Sequence, residues 1–373
     1  MYDLIVSPFL DGFLAVRPGS EACLRLPRRH YEEVQQLAAS DGVPSWLRQA
    51  AVDTWGVELE EASALLVRQP TSLGYARASW EINLGCNFGC KHCYLGERPF
   101  RGLVWDDKVK LLDTIRDAGV LWLQITGGEP TIDRDFEAAY RYAYAAGMML
   151  TVSTNASRLA DERLLRMFRE CPPYRLVVSI YGATEATFDR LTERRGAWKN
   201  FQRGMAAAQE AGLPIRMNVV VTEVNADEVD AMVAICWGLG LPYHVYTNMQ
   251  ATFSGTNEPI LVQSSKHLRQ RPVFTGCNAG VTFFHVDPLG LVSICKVGRD
   301  DQFNLVETGL DGLRQLPAIS DRLMLRTGGC EGCALSGTCR VCRPLAKTYQ
   351  EAGAPLRMYC QHGDKPKKEM TQS

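Results

Sequence analysis

Short apolar segments alternate with longer segments of helical periodicity from Trp80 to about residue 247. The apolar segments predict six β-strands, at residues 80–84, 121–125, 148–152, 175–180, 215–221 and 243–246. Helical spacing predicts helices between them, at residues 107–118, 136–146, 161–170, 200–211 and 226–239. Strands that alternate with helices pair in parallel through right-handed crossovers. We therefore predict an α/β fold over residues 76–248, a partial TIM-like (β/α)6 barrel whose chemistry lies at the carboxyl ends of the strands.

The first 75 residues predict a small α+β unit ahead of the barrel. Leu10-Asp11-Gly12 lies between two apolar segments and predicts a hairpin turn, and residues 22–26 predict a third strand. Residues 29–39 and 46–55 predict two helices, separated by Gly42-Val43-Pro44. One interpretation is a cap that covers the mouth of the barrel.

The strongest chemical signal is the segment Cys86-Asn87-Phe88-Gly89-Cys90-Lys91-His92-Cys93-Tyr94, directly after the first barrel strand. Its three cysteines can all face one point, which suits a metal or an iron–sulfur cluster better than disulfides. Three ligands leave one iron of a four-iron cluster open, and an open position indicates chemistry rather than structure. The alternative is a set of buried or zinc-binding cysteines.

This cysteine spacing, followed by an aromatic residue, resembles the signature of radical S-adenosylmethionine (SAM) enzymes. The resemblance implies that Cys86, Cys90 and Cys93 hold a [4Fe–4S] cluster whose open iron binds SAM. It further implies that one electron, from a donor such as flavodoxin or ferredoxin, cleaves SAM to methionine and a 5′-deoxyadenosyl radical that abstracts a hydrogen atom. In this interpretation Tyr94 packs on the adenine, whereas simple loop packing is the alternative.

Further motifs at predicted strand ends fit the same family. Gly127-Gly128-Glu129-Pro130 resembles the family's GGEP motif, whose backbone and glutamate hold the amino group of SAM. Two glycines allow close backbone approach, and a carboxylate can pair with an ammonium. The resemblance also assigns SAM contacts to three other strand-end residues and to an arginine near the SAM carboxylate: Ser153, Asn155, Ser179 and Arg194. Arg195 is an alternative to Arg194, and a solvated surface pair is an alternative for both.

Seven cysteines in the last part of the chain resemble the SPASM extension of radical SAM enzymes, which carries two auxiliary iron–sulfur clusters. By resemblance, the first cluster takes Cys277, Cys295 and Cys342, and the second takes Cys330, Cys333, Cys339 and Cys360. The family's usual spacing before the fourth clustered cysteine is three residues, whereas two residues separate Cys339 from Cys342. A zinc site is the competing interpretation, because pairs of cysteines two residues apart commonly bind zinc.

These patterns divide the rest of the chain into a linker or substrate-facing loop at residues 249–276, a cysteine-rich cluster domain at 277–362 and a disordered polar tail at 363–373. The N-terminal unit resembles the winged-helix peptide-recognition domains of enzymes that modify ribosomal peptides.

Composition excludes several other classes of protein. The net charge of −1 argues against nucleic acid as the main partner. No apolar run is long enough to span a membrane, and the first residues do not read as a signal peptide. Thirteen cysteines without such a signal indicate metal or redox work in a reducing compartment, so we expect a cytoplasmic protein.

The sequence therefore predicts a radical SAM/SPASM maturase that abstracts hydrogen from a ribosomally synthesised precursor peptide and forms a crosslink or another oxidative modification. Three alternatives stay open at this point. They are sulfatase-type formylglycine formation, modification of a tetrapyrrole or other small molecule, and a non-enzymatic metal-binding scaffold. Tyr243, His244, Tyr246 and Asn248 lie near a strand end that faces the predicted cavity, with a core role as the alternative for His244.

Overall fold

The structure is a computed structural model that describes residues 2–38, 42–59, 61, 64–271, 273–323 and 341–360. No helix in this described part of the chain is both long and apolar enough to cross a membrane. The three cysteines Cys330, Cys333 and Cys339 and the predicted tail lie outside the described residues.

The N-terminal unit is a four-stranded sheet in the order β3-β2-β1-β4 with two helices. Its elements are β1 Leu4–Phe9, β2 Gly12–Val16, β3 Cys23–Leu26, α1 Arg28–Ala38, α2 Ser45–Trp55 and β4 Leu65–Val67. The predicted hairpin, third strand and both helices are present, whereas β4 was not predicted. The helices cover one face of the sheet and enclose a core that includes Leu4, Tyr31 and Leu47.

The other face of this small sheet packs on the barrel at the amino ends of its strands. Ile5 contacts a cluster with Leu121 and Met149, and the rings of Phe9 and Trp122 lie 4.9 Å apart, edge to face. Residues 121, 122 and 149 are where barrel strands begin. The interpretation of this unit as a cap over the barrel mouth is therefore wrong, because its apolar face is buried at the opposite end.

The barrel strands occur in chain order and pair in parallel. They are β5 Arg77–Asn83, β6 Trp122–Gly127, β7 Met149–Thr154, β8 Arg175–Ile180, β9 Ile215–Val220 and β10 Tyr243–Tyr246. The helices between them are α3 Trp105–Asp117, α4 Phe136–Ala145, α5 Glu162–Glu170, α6 Glu185–Thr192, α7 Ala197–Glu210 and α8 Val229–Gly238. This architecture confirms the predicted partial barrel, with α6 as a helix that the sequence analysis did not assign.

Residues buried beneath the helices alternate with residues that face an internal cavity along the barrel strands, and this alternation defines the inside of the barrel. On β8, Leu176, Val178 and Ile180 are fully buried in the core beneath the helices. Arg175 and Ser179, on the opposite face of the same strand, line an internal cavity. A parallel strand covered on both faces is ordinarily apolar throughout, so the polar Arg175 and Ser179 on the inward face of β8 indicate a polar barrel interior.

Later residues extend the barrel sheet beyond β5. Strand β11 Phe283–Val286 pairs in parallel with β5, and β12 Leu291–Ser293 and β13 Phe303–Asn304 continue the sheet in antiparallel order. The remaining helices are α9 Glu258–Leu261, α10 Leu305–Leu313, α11 Leu316–Asp321 and α12 Arg343–Glu351. Phe284 and Leu313 share the barrel's core. Residues on both sides of the predicted boundary at residue 276 thus contribute to one core.

Candidate active site

A cavity of about 690 Å³ opens inside the barrel, and its wall brings together residues from distant parts of the chain. Of the residues that the sequence analysis assigned to the cluster or to SAM, those on the wall are Cys86, Cys90, Cys93, Tyr94, Gly127, Gly128, Ser153, Asn155 and Ser179. This volume is in the range of ligand sites in enzymes, roughly 300–1,000 Å³. The triad, the glycine motif and three strand-end polar residues therefore face one space.

The cysteine loop is held in place by backbone hydrogen bonds to the end of α6. The Gly89 amide donates to the carbonyl of Thr192 at 2.7 Å, and the Lys91 amide donates to Leu191 at 3.3 Å. A Cβ atom on Gly89 would lie 3.1 Å from the side chain of Glu193, a tight contact that requires Glu193 to shift by a few tenths of an ångström. The loop follows β5, which puts all three thiols at the carboxyl edge of the sheet.

Burial dominates the acidity of the three thiols. It raises the pKa of Cys86 to about 11 and raises the pKa of Cys90 and Cys93 as well. The positive charge of Arg98 opposes this rise at each thiol. Buried thiols of this kind become thiolates when a metal replaces their protons. An all-sulfur donor set beside a cavity fits an iron–sulfur cluster.

The described residues contain no group of three His, Cys, Asp or Glu side chains close enough to share a single metal ion. A four-iron cluster spreads its cysteine ligands over separate iron atoms, so this finding does not bear on it.

The Gly127-Gly128 step packs directly against the start of the cysteine loop. Gly127 has φ +135°, and a Cβ there would lie 2.2 Å from the Asn83 carbonyl oxygen. A Cβ on Gly128 would lie 2.2 Å from the Gly85 carbonyl oxygen, and the Glu129 amide donates to that same oxygen at 2.9 Å. Only glycine allows the two loops to approach this closely.

The Glu129 carboxylate is fully buried and already accepts hydrogen bonds from the chain. Thr154 Oγ1 and the Asn155 amide donate to it at 2.7 Å each, and the Thr131 amide donates at 3.1 Å. Burial raises the pKa of Glu129 in spite of these hydrogen bonds. Glu129 thus ties β7 to the glycine motif, and its proposed contact with SAM stays a prediction.

Other predicted contacts lie in different surroundings. Gln124 donates to Ser153 Oγ at 2.7 Å, and Asn155 donates to Asn87 of the cysteine loop at 2.9 Å. Arg194 and Arg195 are exposed and are not on the cavity wall, so the assignment of an arginine there stays a prediction.

The predicted strand-end residues on and directly after β10 lie in two different environments. His244, Tyr246 and Asn248 line the cavity, and His244 is exposed to it rather than buried in a core. Tyr243 instead packs edge to face on Trp237, with ring centroids 6.4 Å apart.

A buried charged network stands behind the cysteine loop, and the sequence analysis did not predict it. Glu81 on β5 is fully buried, accepts from the Tyr94 hydroxyl at 3.2 Å and pairs with Arg299 at 2.8 Å. His285 lies 3.5 Å from the same carboxylate. Burial opposes ionisation, but His285 and Arg299 hold the pKa of Glu81 well below its usual range. The network joins the cysteine loop to the segment that follows Cys295.

Sequence reasoning missed four basic residues of the cavity wall: Arg98, Arg175, Arg216 and Lys296. His92 of the cysteine loop, a possible source of positive charge beside the cluster from its sequence position, lies on the same wall. The pKa of His92 is lowered to about 4 by burial and then by Arg98, which keeps its ring neutral. A charged residue at an inward position of a predicted strand is the signal that would have found Arg175 and Arg216.

Four of the seven predicted auxiliary-cluster cysteines lie in the described part of the chain. Cys277 is exposed, whereas Cys295, Cys342 and Cys360 are partly buried. The Gly298 amide donates to Cys295 Sγ at 3.2 Å. Burial, together with the nearby thiols of Cys295 and Cys277, raises the pKa of Cys342 to about 11. Burial and the nearby Cys277 also raise the pKa of Cys295, so the three cysteines assigned to the first auxiliary cluster lie near one another.

Comparison with known proteins places this barrel in a family. Residues 80–235 match the Radical SAM superfamily. The AdoMet-dependent heme synthase of Methanosarcina barkeri is 30% identical over 172 residues, which cover 45% of this chain and 49% of that protein. The mycofactocin maturase MftC of Mycolicibacterium smegmatis is 26% identical over 237 residues, 59% of each chain. The chain spans about half the length of the first of these curated relatives.

Among solved structures, Streptococcus suis SuiB bound to S-adenosylmethionine aligns with a TM-score of 0.56 at 16% identity, over 91% of this chain and 94% of SuiB. At that identity the alignment shows a shared fold. A radical SAM domain implies a [4Fe–4S] cluster and SAM, and the cysteine loop and cavity described above fit both. The chain therefore carries a radical SAM superfamily domain at residues 80–235, which marks it as an enzyme.

Proposed function

We propose that this protein is a radical SAM peptide maturase, which abstracts hydrogen from a ribosomally synthesised precursor peptide and forms a crosslink or another oxidative modification. One observation supports this proposal most strongly. The side chains of Cys86, Cys90 and Cys93 and the Gly127-Gly128 step lie together on the wall of a large internal cavity, at one end of it. Bound there, the cluster and SAM supply a 5′-deoxyadenosyl radical. The barrel interior holds the substrate next to them and limits its access to water.

In this proposal each part of the chain has a separate task. The three cysteines hold the cluster, and the polar strand ends Ser153, Asn155 and Ser179, with Tyr94, bind SAM. Cys277, Cys295 and Cys342 hold a first auxiliary iron–sulfur cluster. Cys330, Cys333, Cys339 and Cys360 would hold a second. An auxiliary cluster at either place would take up the electron that remains after bond formation or would bind the substrate. The electron that starts the reaction comes from a donor such as flavodoxin or ferredoxin.

Two relatives support a peptide substrate. One is the maturase MftC, and the other is SuiB, which shares the fold and has been solved bound to its precursor peptide SuiA at a TM-score of 0.53. The N-terminal unit is a candidate for peptide recognition, and its place on the amino ends of the barrel strands would hold the bound segment away from the radical.

A second candidate is modification of a tetrapyrrole. The heme synthase and an Fe-coproporphyrin III synthase of Methanosarcina barkeri, 27% identical over 156 residues, favour it. Both candidate functions use the same cysteine loop and cavity, and they differ in the substrate that binds in the cavity.

The proposal is tested by SAM cleavage in the anaerobically reconstituted and reduced protein. We expect wild type to form 5′-deoxyadenosine and Cys90→Ala to form none, because its cluster loses a ligand. Cys23→Ala is the matched control, since Cys23 lies exposed on β3 of the N-terminal unit, and it should behave as wild type. Equal product from wild type and Cys90→Ala would overturn the assignment of the triad.

A further inference from the structure

The cavity wall carries positive charge without matching negative charge. Arg98, Arg175, Arg216 and Lys296 line it, and among the described residues on the wall none is Asp or Glu. Such an excess of one sign in a site with low-dielectric walls concentrates ligands of the opposite sign.

Three of these cations already have partners. Arg98 donates to the Phe88 carbonyl at 3.0 Å, and its charge acts on the three thiols. Arg175 donates to Glu21 of the N-terminal unit at 2.9 Å. Lys296 Nζ lies 3.4 Å from the Tyr94 hydroxyl and 5.4 Å from the centre of that ring.

Arg216 differs from them. It is partly buried, and no hydrogen bond or ion pair joins its side chain to any residue in the described part of the chain. A guanidinium does not lose its charge in proteins, and an unpaired charge held away from bulk water is costly. Its five donors match the two oxygens of a carboxylate.

The strand register places Arg216 in the deep part of the cavity. It is the second residue of β9, where its Cα pairs with Val177. Asn218, two residues later on the same face, pairs with Ser179 and with His244. Two strand residues correspond to roughly 7 Å, so Arg216 lies that much closer to the amino ends than the level of Ser179. The cysteine loop lies at the other end of the strands.

We propose that Arg216 is the anchor of a carboxylate subsite for the substrate at the deep end of this cavity, with Asn218 and His244 on the same wall. The proposal rests on the proposed function, because it takes this cavity as the place where substrate binds. The shared chemistry is a carboxylate on an arm that enters the barrel. It could belong to an acidic residue or terminus of a peptide, or to a propionate of a tetrapyrrole.

Isothermal titration calorimetry on the full, anaerobically reconstituted chain with saturating SAM tests this proposal without turnover. The probes are a Glu-containing acetylated pentapeptide with its Gln counterpart, and coproporphyrin III with its tetraamide. We expect wild type to bind at least one acid about 10- to 100-fold more tightly than its amide, the range for hydrogen bonds to a charged group. Discrimination in the peptide pair identifies a peptide carboxylate, and discrimination in the porphyrin pair identifies a propionate.

Arg216→Gln should abolish this discrimination, and Arg216→Lys, which keeps the charge but not the two-pronged geometry, should retain part of it. Arg203→Gln is the matched control, because Arg203 is exposed on α7 and its one hydrogen-bond partner among the described residues is the nearby Asn200. It should discriminate as wild type does. If Arg216→Gln unfolds at a lower temperature than wild type, Arg216→Lys is compared with Arg203→Lys instead. We then expect weaker discrimination between acid and amide in Arg216→Lys than in Arg203→Lys.

Three results would overturn the subsite. The first is that wild type binds acid and amide with equal affinity, or binds neither acid. The second is that Arg216→Gln discriminates as wild type does. The third is that Arg216→Gln loses affinity for SAM rather than for the probe, which would assign Arg216 to the SAM carboxylate. Wild type that binds the acid but cleaves no SAM contradicts the proposed function and leaves the subsite standing. Wild type that cleaves SAM without discrimination contradicts the subsite alone.

Discussion

At the scale of single residues, the site depends on close approaches that permit very few side chains. Gly127 and Gly128 bring β6 within hydrogen-bonding distance of the segment that precedes Cys86, and a Cβ on either would overlap a carbonyl oxygen. Glu81 accepts a hydrogen bond from Tyr94, at the end of the cysteine loop. The loop is thus tied to the sheet both at its start and at its end, which is what a site for one geometry of cluster needs.

Glu81→Gln should lower the free energy of unfolding by about 3 kcal/mol, because it leaves Arg299 without its charged partner in a buried site. Urea unfolding of the anaerobic apoprotein at pH 7 measures the change. Glu137→Gln is the control: Glu137 pairs with Arg141 and Arg163 near the surface, and exposed pairs contribute about 0–1 kcal/mol. Equal losses in the two variants would contradict a special role for Glu81.

At the scale of elements, the barrel owes its site to loops that follow the strands and are anchored by helices. Helix α6 illustrates this, because its last turn binds the cysteine loop through Thr192. Its first turn is held by Glu228, which accepts from the Ala183 amide at 2.7 Å and from Thr187 Oγ1 at 2.6 Å. A carboxylate at this end also meets the positive end of the helix dipole. Glu228 therefore supports the cysteine loop from a distance.

Glu228 predicts a pH dependence of stability. Burial raises the pKa of its carboxyl, but hydrogen bonds from Thr187, Ala183 and Thr184 outweigh burial and lower it. The folded pKa is below the unfolded value of about 4.3, so the ionised group stabilises the fold above that pH and loses this effect as pH falls through the folded pKa. Glu228→Gln should be about 1–2 kcal/mol less stable at pH 7. Urea titrations from pH 7 to pH 3 should show the two proteins converging, and a constant gap would contradict the assignment.

At the scale of the whole molecule, the N-terminal unit is in direct contact with the barrel. Its sheet packs on the amino ends of β6 and β7, and its Glu21 pairs with Arg175 on the cavity wall. At the other edge, β11 extends the sheet and leads into the segment with Cys295. A conformational change in the N-terminal unit can therefore affect the cavity wall directly, through the contact between Glu21 and Arg175.

Metal content tests the proposed arrangement of three clusters. We expect about twelve irons per reconstituted chain, and about eight after Cys86, Cys90 and Cys93 are all changed to Ala, by the stoichiometry of four-iron clusters. Iron, sulfide and zinc analysis after anaerobic purification measures this. About four irons with bound zinc, and loss of that iron in the triple variant, would instead make the C-terminal cysteines a structural zinc module.

The sequence alone determined the barrel and the triad, because both depend on local patterns. Strand and helix periodicity located all six barrel strands to within a few residues, and closely spaced cysteines predicted cluster chemistry without knowledge of the fold. The sequence also predicted close backbone approach at the two glycines of the GGEP motif, and the structure shows it at both.

Only the tertiary structure decided what depends on pairings between distant residues. Strand β11 pairs with β5, which lies far away in the sequence, so periodicity alone does not assign it to the barrel sheet. Nothing in the first 75 residues says which end of the barrel they cover. The partners of Glu81 are up to 218 residues away in sequence. That Arg216 has no partner among the residues that the structure describes is recognisable only once its neighbours are known. Charge and burial are properties of the packed surroundings, and one residue's sequence context does not contain them.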